Sequence, residues 1–560
     1  MYDFHFTMNF HNEYLCSKFL IIHVIFSKAL STKCVLKCQT ASLIIFVCGK
    51  MSFSIRLLVT LVATSVVTAN YDPNCFGTRQ AIVHLFEWRW DDIADECENF
   101  LAPKGYCGVQ VSPPNEYRVV TSPMRPWWER YQPVSYKTYS RSGDEDAFKD
   151  MVTRCNNVGV RIYVDALLNH MAGVDASRDV GIAGTPFNAE TLDFPGVPYS
   201  ANDFNQQGKE CHTSSGNIEN YGDADQVRNC RLVGLTDLKQ SSTYVRQKLV
   251  EWLDTLTSYG VAGFRLDAAK HMWPNDIKAI INALKDLPTK WFPSGSKPFI
   301  FQEVIDYGGE PIKNSEYYTF SRVTEFSYGR YTSEAMQGQN QLKNFKNFGE
   351  GWGYLMPDYA ALVFIDNHDN QRGHGGGGSV LTHTSPKEYK KAVAYMLAWP
   401  YGVPRVMSSY YFSEDWTGPP HDDNYNIKRV LPNGESCENG WVCEHRWRPI
   451  ANMAKWRAMA GSEPVANWWD DGDNQIAFSR GNKAFFAINN GWNYMKVSLQ
   501  TGMKAGRYCD VISGDRSEDE KSCTGNVITV GSDGKAMIEI NNGNDNPYVA
   551  IHVGKYYWFH

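Results

Sequence analysis

Three acidic residues in the middle of the chain each follow a short apolar run. Asp267 ends GFRLD, Glu303 ends FIFQE and Asp369 ends ALVFIDNHD. One acid in such a place is typical of a helix N-cap or of a salt bridge. Three acids in one cleft are different, because like charges repel unless one carboxyl keeps its proton. A protonated acid beside an ionised nucleophile is the pair that glycoside hydrolysis requires.

Eight apolar, β-branched runs recur along the chain, and polar, helix-like stretches separate them. This alternation predicts a parallel α/β fold, and eight units favour a closed (β/α)8 TIM barrel over an open sheet. The three acids are 36 and 66 residues apart, about one and two units of such a barrel, so we expect them at one mouth. The runs are AIVHLF (81–86), GVQVSP (108–113), VRIYVDALLNH (160–170), GFRLDAAKH (263–271), FIFQEV (299–304), VTEF (323–326), ALVFIDNHD (361–369) and VPRVMSS (403–409).

The spacing of the third and fourth runs predicts an inserted subdomain. Asp165 and Asp267 are 102 residues apart, which leaves roughly 70 residues beyond one barrel unit. We assign residues 169–238 to a loop-rich insertion and residues 70–168 with 239–463 to the barrel. From residue 464 to 560, short alternating strands separated by Gly/Asn turns predict a C-terminal antiparallel β-sandwich domain.

The N-terminal part of the chain has the pattern of an export signal rather than of a folded domain. Residues 51–69 carry one Arg, an apolar run and a small-residue cleavage site after Ala69, which predicts a secretory signal peptide. Residues 1–50 lie upstream of this complete signal, and our preferred interpretation is a non-native extension from a wrongly assigned start. The alternative is a membrane-anchoring leader, but Lys28, Lys33 and Lys37 interrupt its apolar stretches. No other segment is a candidate membrane span.

Charge and cysteine content narrow the class of protein. The formal net charge is −6, so no excess of basic residues favours nucleic acid as a partner. Ten cysteines follow residue 69, an even number that agrees with disulfides in an exported protein. Neither a Cys-x-x-Cys nor a His-Glu-x-x-His pattern occurs, so a zinc site or a redox dithiol has little support.

Long ordered motifs then carry a family resemblance. The chain resembles the animal-type α-amylases, retaining glycoside hydrolases built on a (β/α)8 barrel, over essentially residues 70–560. The resemblance implies a secreted, monomeric enzyme that hydrolyses internal α-1,4-glucosidic bonds. Its implied partners are starch, glycogen and maltooligosaccharides, together with proteinaceous amylase inhibitors, and neither nucleic acid nor membrane. The motifs are VHLFEWRW, GVQVSPPNE, RPWWERYQP, DALLNHM, GFRLDAAKHMW, FQEV, FIDNHDNQRGHG and the distal ISG…TVGSDG.

The resemblance also implies roles for individual residues. Asp267 is the implied nucleophile, Glu303 the implied general acid and base, and Asp369 the implied carboxylate that stabilises the transition state. An aromatic platform and several hydrogen-bond donors would bind substrate, although Trp127 could equally pack in the barrel rim and a lone His is usually structural. Residues 373–378 would form a mobile loop on the substrate side. The implied substrate-binding residues are Trp127, Trp128, Tyr131, Gln132, His170, Arg265, Lys270, His271, His368 and His374.

Two bound ions follow from the same resemblance. Calcium would be held by Asn169, Arg228, Asp237 and His271, with backbone carbonyls contributed by Arg228 and His271, and oxygen ligands of this kind suit a hard cation. Chloride would be held by Arg265, Asn367 and Arg405. Unshielded arginines favour ionisation of a nearby acid, and an anion between them offsets that pull. The alternative is that Arg265 and Arg405 pair with carboxylates.

For the disulfides, the resemblance implies Cys97–Cys155, Cys211–Cys230, Cys437–Cys443 and Cys509–Cys523. Cys75 and Cys107 are left over, and we predict that they pair.

Two other functions stay open at this level. A transglycosylase or an exo-acting α-glucosidase could use the same barrel, although the aromatic platform and the chloride residues weigh against it. A non-catalytic carbohydrate-binding or partner protein could also keep the barrel, although such proteins usually lose a catalytic carboxylate.

Overall fold

The computed structural model describes residues 70–176, 179–517 and 522–554, and three strands nearer the N-terminus. Those strands, Ile21–Val24, Thr32–Cys38 and Ile44–Val47, form an antiparallel sheet in a unit that ends at Thr68. The predicted signal peptide, residues 51–69, lies outside the described residues. No helix in the described residues is both long enough and apolar enough to span a membrane.

A closed barrel of eight parallel strands forms the centre of the second unit, Ala69–His560. Each strand pairs with the next along the chain, and the last pairs with the first, in the register Arg405↔Ile82. The predicted barrel is therefore confirmed, and each of the eight apolar runs overlaps one barrel strand. The strands are β1 (Ile82–Leu85), β2 (Gly108–Val111), β3 (Arg161–Ala166), β4 (Gly263–Leu266), β5 (Phe299–Gln302), β6 (Arg322–Glu325), β7 (Ala361–Val363) and β8 (Val403–Ser408).

The barrel strands read as continuous apolar runs because helices cover their outer faces and side chains fill the interior. Nearly every strand residue is buried. At the start of β4 a side chain would not fit, since a Cβ on Gly263 would lie 2.1 Å from the Phe299 carbonyl oxygen. The glycine therefore lets two barrel strands approach closely.

Within the described residues, seven α-helices surround the barrel and an eighth, α3, lies in the insertion. Their ends follow ordinary capping chemistry: Asp144 accepts a hydrogen bond from the Ala147 amide at the start of α2, and Gly260 ends α4 with φ +108°. Between β5 and β6, where every residue is described, the structure has only the 3-10 turn Asn314–Glu316, so regular strand–helix alternation fails there. The helices are α1 (Trp90–Glu96), α2 (Glu145–Asn157), α3 (Ala224–Asn229), α4 (Thr243–Tyr259), α5 (Pro274–Ala283), α6 (Phe326–Met336), α7 (Pro386–Ala398) and α8 (Arg448–Ala460).

The connection between β3 and α4 contains the predicted loop-rich insertion. A two-stranded antiparallel ladder closes its base, with His170 opposite Asp237. The Cys211–Cys230 disulfide crosses its interior. The short two-stranded ladders of the unit include Asn115–Tyr117 with Pro133–Thr138, His170–Gly173 with Leu235–Asp237, Asp179–Val180 with Pro186–Phe187, and Pro432–Asn433 with Ser436–Cys437.

Antiparallel strands follow α8, eight of them in the part of the chain that the structure describes, which confirms the predicted C-terminal β domain. β9, β10, β11 and β16 form one sheet, β12 pairs with β15, and β13 pairs with β14. β11 is buried on both faces: Phe485 belongs to the domain's own core, whereas Phe486 belongs to the core shared with the barrel. The strands are β9 (Val465–Asp470), β10 (Gln475–Arg480), β11 (Ala484–Asn489), β12 (Met495–Gln500), β13 (Gly506–Cys509), β14 (Val527–Val530), β15 (Lys535–Ile540) and β16 (Tyr548–His552).

Five disulfides connect the ten cysteines after residue 69, in the same pairs that were expected from the sequence. Cys75–Cys107 ties the segment before β1 to the residue that precedes β2. The others are Cys97–Cys155, Cys211–Cys230, Cys437–Cys443 and Cys509–Cys523.

Candidate active site

The carboxyl ends of the barrel strands surround a cleft of about 780 Å³. Asp267 follows β4, Glu303 follows β5 and Asp369 follows β7, and all three line this cleft. The structure therefore brings together the three acids that the sequence separates by 36 and 66 residues. Nine of the ten candidate substrate-binding residues also line it: Trp127, Trp128, Tyr131, Gln132, His170, Lys270, His271, His368 and His374.

The tenth, Arg265, lies beneath the carboxylates, with 1% of its surface exposed. Its Nη1 donates hydrogen bonds to Asp165 Oδ1 at 2.6 Å and to Asp267 Oδ1 at 2.8 Å. Its Nη2 lies 2.5 Å from Glu303 Oε1 but is not aligned for a hydrogen bond. One guanidinium thus holds three carboxylates, and two of them are the candidate nucleophile and the candidate acid.

Backbone groups fix the two acids as well. The backbone amide of Ala268, the residue that follows Asp267, donates a hydrogen bond to Glu303 Oε2 at 2.8 Å. Ala268 adopts φ +48°, a left-handed conformation that costs energy for a residue with a Cβ. The strained turn aims one amide at the second acid.

Burial and mutual repulsion control the charge of the cluster. Burial raises the pKa of Asp267 well above its ordinary value, while Arg265 opposes this shift. Burial and the Glu303 carboxylate raise the pKa of Asp369 to about 7. Both shifts favour the protonated form, so we expect Asp267 and Asp369 not to be fully ionised together near neutral pH.

Two buried histidines of the cleft, His170 and His368, are neutral because burial disfavours the charged imidazole. Burial lowers the pKa of His170 to about 4, and its Nε2 lies 2.9 Å from the Tyr131 carbonyl oxygen. Burial, with Arg265, also lowers the pKa of His368. The His368 ring stacks on Tyr131 at 5.1 Å, and its Nε2 lies 3.4 Å from Asp369 Oδ2. Neutral imidazoles at this wall can donate hydrogen bonds without adding charge.

The aromatic residues of the cleft differ in exposure. Trp127 is only 6% exposed, and its Nε1 donates to the Asp415 carbonyl oxygen at 2.8 Å, so most of its ring packs in the rim. Trp128 is half-buried and offers more of its ring to the cleft. Gln132 accepts a hydrogen bond from the Gly173 amide at 3.0 Å and so joins the rim to the insertion.

Lys270 and His374, which also line the cleft, have partners of their own. Lys270 donates to the Ile305 carbonyl oxygen at 2.9 Å and pairs with Glu310. His374 is 44% exposed at its side chain and lies 3.2 Å from Asp415. These contacts connect separate loops of the barrel mouth.

Among the candidate calcium residues, one buried side-chain oxygen has no hydrogen-bond donor. Asn169 Oδ1 is buried and has no hydrogen-bond partner, and Asp237 receives a single side-chain hydrogen bond, from Asn205 at 2.7 Å. Burial raises the pKa of Asp237 well above its ordinary value. In the described residues no three His, Cys, Asp or Glu side chains cluster as metal ligands. The oxygen atoms of an amide, a carboxylate and backbone carbonyls do fit a hard cation.

The guanidinium of Arg228 has separate partners, Glu316 at 2.8 Å and the Tyr317 hydroxyl, and the His271 ring lies 3.0 Å from the Val227 carbonyl oxygen. These side chains anchor the insertion to the barrel. A cation held by Arg228 and His271 would therefore contact their backbone carbonyls rather than their side chains.

The two arginines of the candidate chloride site differ in their partners. Arg265 is paired with carboxylates, which is the alternative that the sequence left open. Arg405 is buried, donates to Gln110 Oε1 at 2.7 Å, and has no carboxylate within 4.0 Å among the described residues. Burial, together with Arg265, lowers the pKa of Arg405 to about 10. A buried guanidinium without a counter-ion fits an anion.

Asn367, the third candidate chloride residue, also shapes the turn that carries Asp369. Its Oδ1 accepts hydrogen bonds from the Asp369 amide at 3.0 Å and the Asn370 amide at 2.7 Å.

Sequence reasoning missed two residues of the cleft floor. Asp165 lies opposite Arg265 in the β3–β4 register and accepts a hydrogen bond from the Tyr131 hydroxyl at 2.9 Å. Its signal was present, because RIYVD ends in an acid just as GFRLD does. Gln110, the partner of Arg405, is a polar residue in an apolar strand, and that pattern also marks it.

Comparison with known proteins decides the family. The model of the α-amylase catalytic domain matches residues 119–292, and the model of the α-amylase C-terminal all-β domain matches residues 466–554. An α-amylase of Oryzias latipes is 54% identical over 511 residues, which cover 89% of this chain and 99% of the relative. The chain belongs to the α-amylase family.

Other α-amylases agree with this assignment. The pancreatic α-amylase of Homo sapiens is 56% identical over 499 residues, which cover 86% of this chain and 96% of the relative. The solved structure of a mutant of α-amylase I from Eisenia fetida, in complex with maltohexaose, aligns with TM-score 0.81 and 49% identity. It covers 86% of this chain and 98% of that one. The chain is accordingly a glycoside hydrolase of the α-amylase type.

Proposed function

We propose that this α-amylase hydrolyses internal α-1,4-glucosidic bonds in starch and glycogen, and in maltooligosaccharides, with retention of configuration. The observation that carries the proposal is the contact of one buried guanidinium, Arg265, with both Asp267 and Glu303. Retaining glycosidases need their two carboxyl groups only about 5 Å apart. Contact with one guanidinium brings these two acids close to each other, which supports that mechanism.

The surroundings of the two acids support distinct roles. Arg265 gives Asp267 an aligned, charge-assisted hydrogen bond, which favours the carboxylate form of a nucleophile. Its contact with Glu303 lacks that alignment, and the Ala268 amide donates to the other carboxyl oxygen of Glu303. Asp267 attacks the anomeric carbon and forms a glycosyl ester while Glu303 protonates the leaving oxygen. Glu303 then takes a proton from water, which attacks the anomeric carbon from the face that the leaving group vacated and releases the Asp267 carboxylate.

Asp369 completes the site as a transition-state stabiliser. It lies in the same cleft, 3.4 Å from His368, and most of its side chain is buried. Hydrogen bonds from sugar hydroxyls to this carboxylate strengthen as the ring distorts and gains positive charge. The half-buried Trp128, with Tyr131 beside it, supplies apolar surface for a glucose ring.

Calcium is part of the proposal as a structural ion. Asn169 Oδ1, the Asp237 carboxylate and the carbonyls of Arg228 and His271 would hold it. Bound there, the cation supplies the positive charge that the buried Asp237 lacks. It would tie the insertion to the barrel, since Asn169 and Asp237 lie at the two ends of the insertion.

Chloride is proposed as an activator. The buried Arg405 lacks a carboxylate partner among the described residues, and together with Arg265 and Asn367 it would hold the anion. Both arginines lower the pKa of nearby carboxyl groups. The negative charge of the anion would offset this effect, so that the catalytic acid would keep its proton to higher pH.

We propose that the enzyme acts outside the cell as a monomer. Proteinaceous inhibitors would block it by binding at the cleft. Five disulfides support an oxidising compartment.

The test is release of reducing ends and the anomeric form of the products from soluble starch, with calcium present and with or without added chloride. We expect short α-configured maltooligosaccharides, released faster with chloride. β-Configured products would contradict retention, and release of glucose alone or of lengthened chains would favour the exo-acting or transglycosylase alternative. Activity indifferent to chloride would remove the anion site, and starch binding without cleavage would favour a carbohydrate-binding protein.

A further inference from the structure

The glycine loop, residues Gly373–Gly378, forms part of the cleft wall next to Asp369. Gly375 and Gly376 line the cleft, and Gly376 is the one partly buried residue of an otherwise exposed loop. Within the described residues, the backbone of Gly375, Gly376 and Gly377 makes no hydrogen bond to another backbone group. Little besides side-chain contacts therefore holds this stretch against the barrel.

Tyr307 supplies the contact that the backbone lacks. Its hydroxyl donates a hydrogen bond to the Gly376 carbonyl oxygen at 2.9 Å. Among the described residues this is the one side-chain hydrogen bond that the backbone of the glycine loop receives. Tyr307 lies four residues after Glu303, and Gly376 lies seven after Asp369. The bond therefore joins the two connections that carry the catalytic acid and the third carboxylate.

The side chains around Gly376 leave no room for a larger residue. A Cβ on Gly376 would lie 2.6 Å from Phe326 Cδ1, and the glycine has φ +79°, so only glycine fits this docked position without strain. Phe326 is 3% exposed at the start of α6. The Tyr307 ring packs edge to face on the Phe326 ring, with the ring centres 6.4 Å apart. The Arg330 guanidinium lies 4.8 Å from the centre of the Tyr307 ring. The phenol is thus held in place to receive the loop.

We propose that Tyr307 is a positioning residue that latches the glycine loop onto Phe326, so that Gly375 and Gly376 complete the substrate-binding wall beside Glu303 and Asp369. The inference rests on the proposed function, in which this cleft binds a glucan. Loss of the latch releases the loop, and substrate then meets an incomplete wall.

The experiment compares Tyr307→Phe with Tyr354→Phe in the full chain. Tyr354 is 82% exposed and its hydroxyl has no partner among the described residues, so it is the matched control. One neutral hydrogen bond shifts a docking equilibrium about fivefold, so kcat/KM on maltohexaose should fall up to about fivefold in Tyr307→Phe, mainly through KM. Proteinase K should nick residues 373–379 several times faster, with the melting temperature unchanged. Tyr354→Phe should match wild type in both assays.

A second variant tests the docked position itself. Gly376→Ala places a Cβ against Phe326, so this variant should raise both KM and the rate of proteolytic nicking. In the double variant, the added Tyr307→Phe should change neither quantity by more than about twofold. Independent, multiplying effects of the two substitutions would overturn the latch, as would a Tyr307→Phe enzyme with wild-type KM or wild-type nicking. If no protein of the set cleaves maltohexaose, the proposed function fails, and the nicking comparison still decides whether Tyr307 holds the loop.

Discussion

The floor of the cleft and the core of the C-terminal domain are both buried, yet opposite kinds of side chain fill them. The floor packs four acids around Arg265: Asp165, Asp267, Glu303 and Asp369. The C-terminal core consists of apolar side chains such as Phe485, Ile538 and Ile551. Burial of apolar area stabilises the second region, whereas burial of like charges costs stability in the first and is retained for chemistry.

Hydrogen bonding shows the same contrast. Around the floor, both ring nitrogens of His84, Gln110 Nε2 and His368 Nδ1 are buried without a partner. In the described residues after Arg448, every buried side-chain nitrogen or oxygen has one. Buried groups without a partner therefore occur at the cleft floor, as they do elsewhere before Arg448, whereas the buried polar groups of the described β domain are paired.

The sharpest test of the contrast is Asp267→Asn. Loss of the nucleophile should lower kcat on starch by about 10⁴-fold or more. The melting temperature should stay the same or rise, because one of the mutually repelling acids is gone while Arg265 keeps Asp165 and Glu303. Steady-state kinetics and thermal unfolding check this, with the exposed Asp423→Asn as control. A variant that loses stability in step with activity would show that the floor also supports the fold.

The reverse is expected for Ile538→Ala in the C-terminal core. The side chain is fully buried, so its removal should cost about 2–5 kcal/mol of unfolding free energy, with kcat unchanged below the unfolding temperature. Met537→Ala, on the preceding residue and 52% exposed, should change stability by less than about 0.5 kcal/mol. Denaturant unfolding measures both. A fall in kcat in folded Ile538→Ala would mean that the two regions are coupled.

The smallest effect concerns pH. The pKa of Asp369 is raised to about 7 in the folded protein, so the folded state binds more protons than the unfolded state between about pH 4 and 7. This carboxyl therefore contributes less stability as pH rises through that window. Because 22% of the side chain is exposed, we expect about 1–2 kcal/mol.

Melting temperatures of wild type and Asp369→Asn across pH 4–8 check this expectation. The melting temperature of the wild type should fall relative to that of the variant from pH 4 to 7. Above pH 7 the difference between the two melting temperatures should stay constant. A difference that is constant with pH would mean that Asp369 ionises normally in the folded chain.

The barrel was predictable because its strands are buried on both faces and therefore read as apolar, β-branched runs. The same rule located Asp267, Glu303 and Asp369, since each ends such a run. The absent helix between β5 and β6 did leave a signal that we overlooked, since Gly308, Gly309 and Pro311 lie in this short connection and disfavour a helix.

Contacts between distant residues lay beyond the sequence. Arg265 and Arg405 look alike in their strands, yet one meets three carboxylates and the other meets Gln110. Tyr307 gives no signal at all, since its partner Gly376 is 69 residues away. Such pairings depend on the register of the whole barrel, which local pattern does not specify.

The closure of the barrel between β1 and β8 has a consequence for synthesis. The register Arg405↔Ile82 pairs strands roughly 320 residues apart in the chain. At about 5–20 residues per second, one edge of β1 waits on the order of half a minute before its partner leaves the ribosome. During that time an apolar strand edge is open to wrong pairing, so the nascent chain should need protection by chaperones until its last barrel strand arrives.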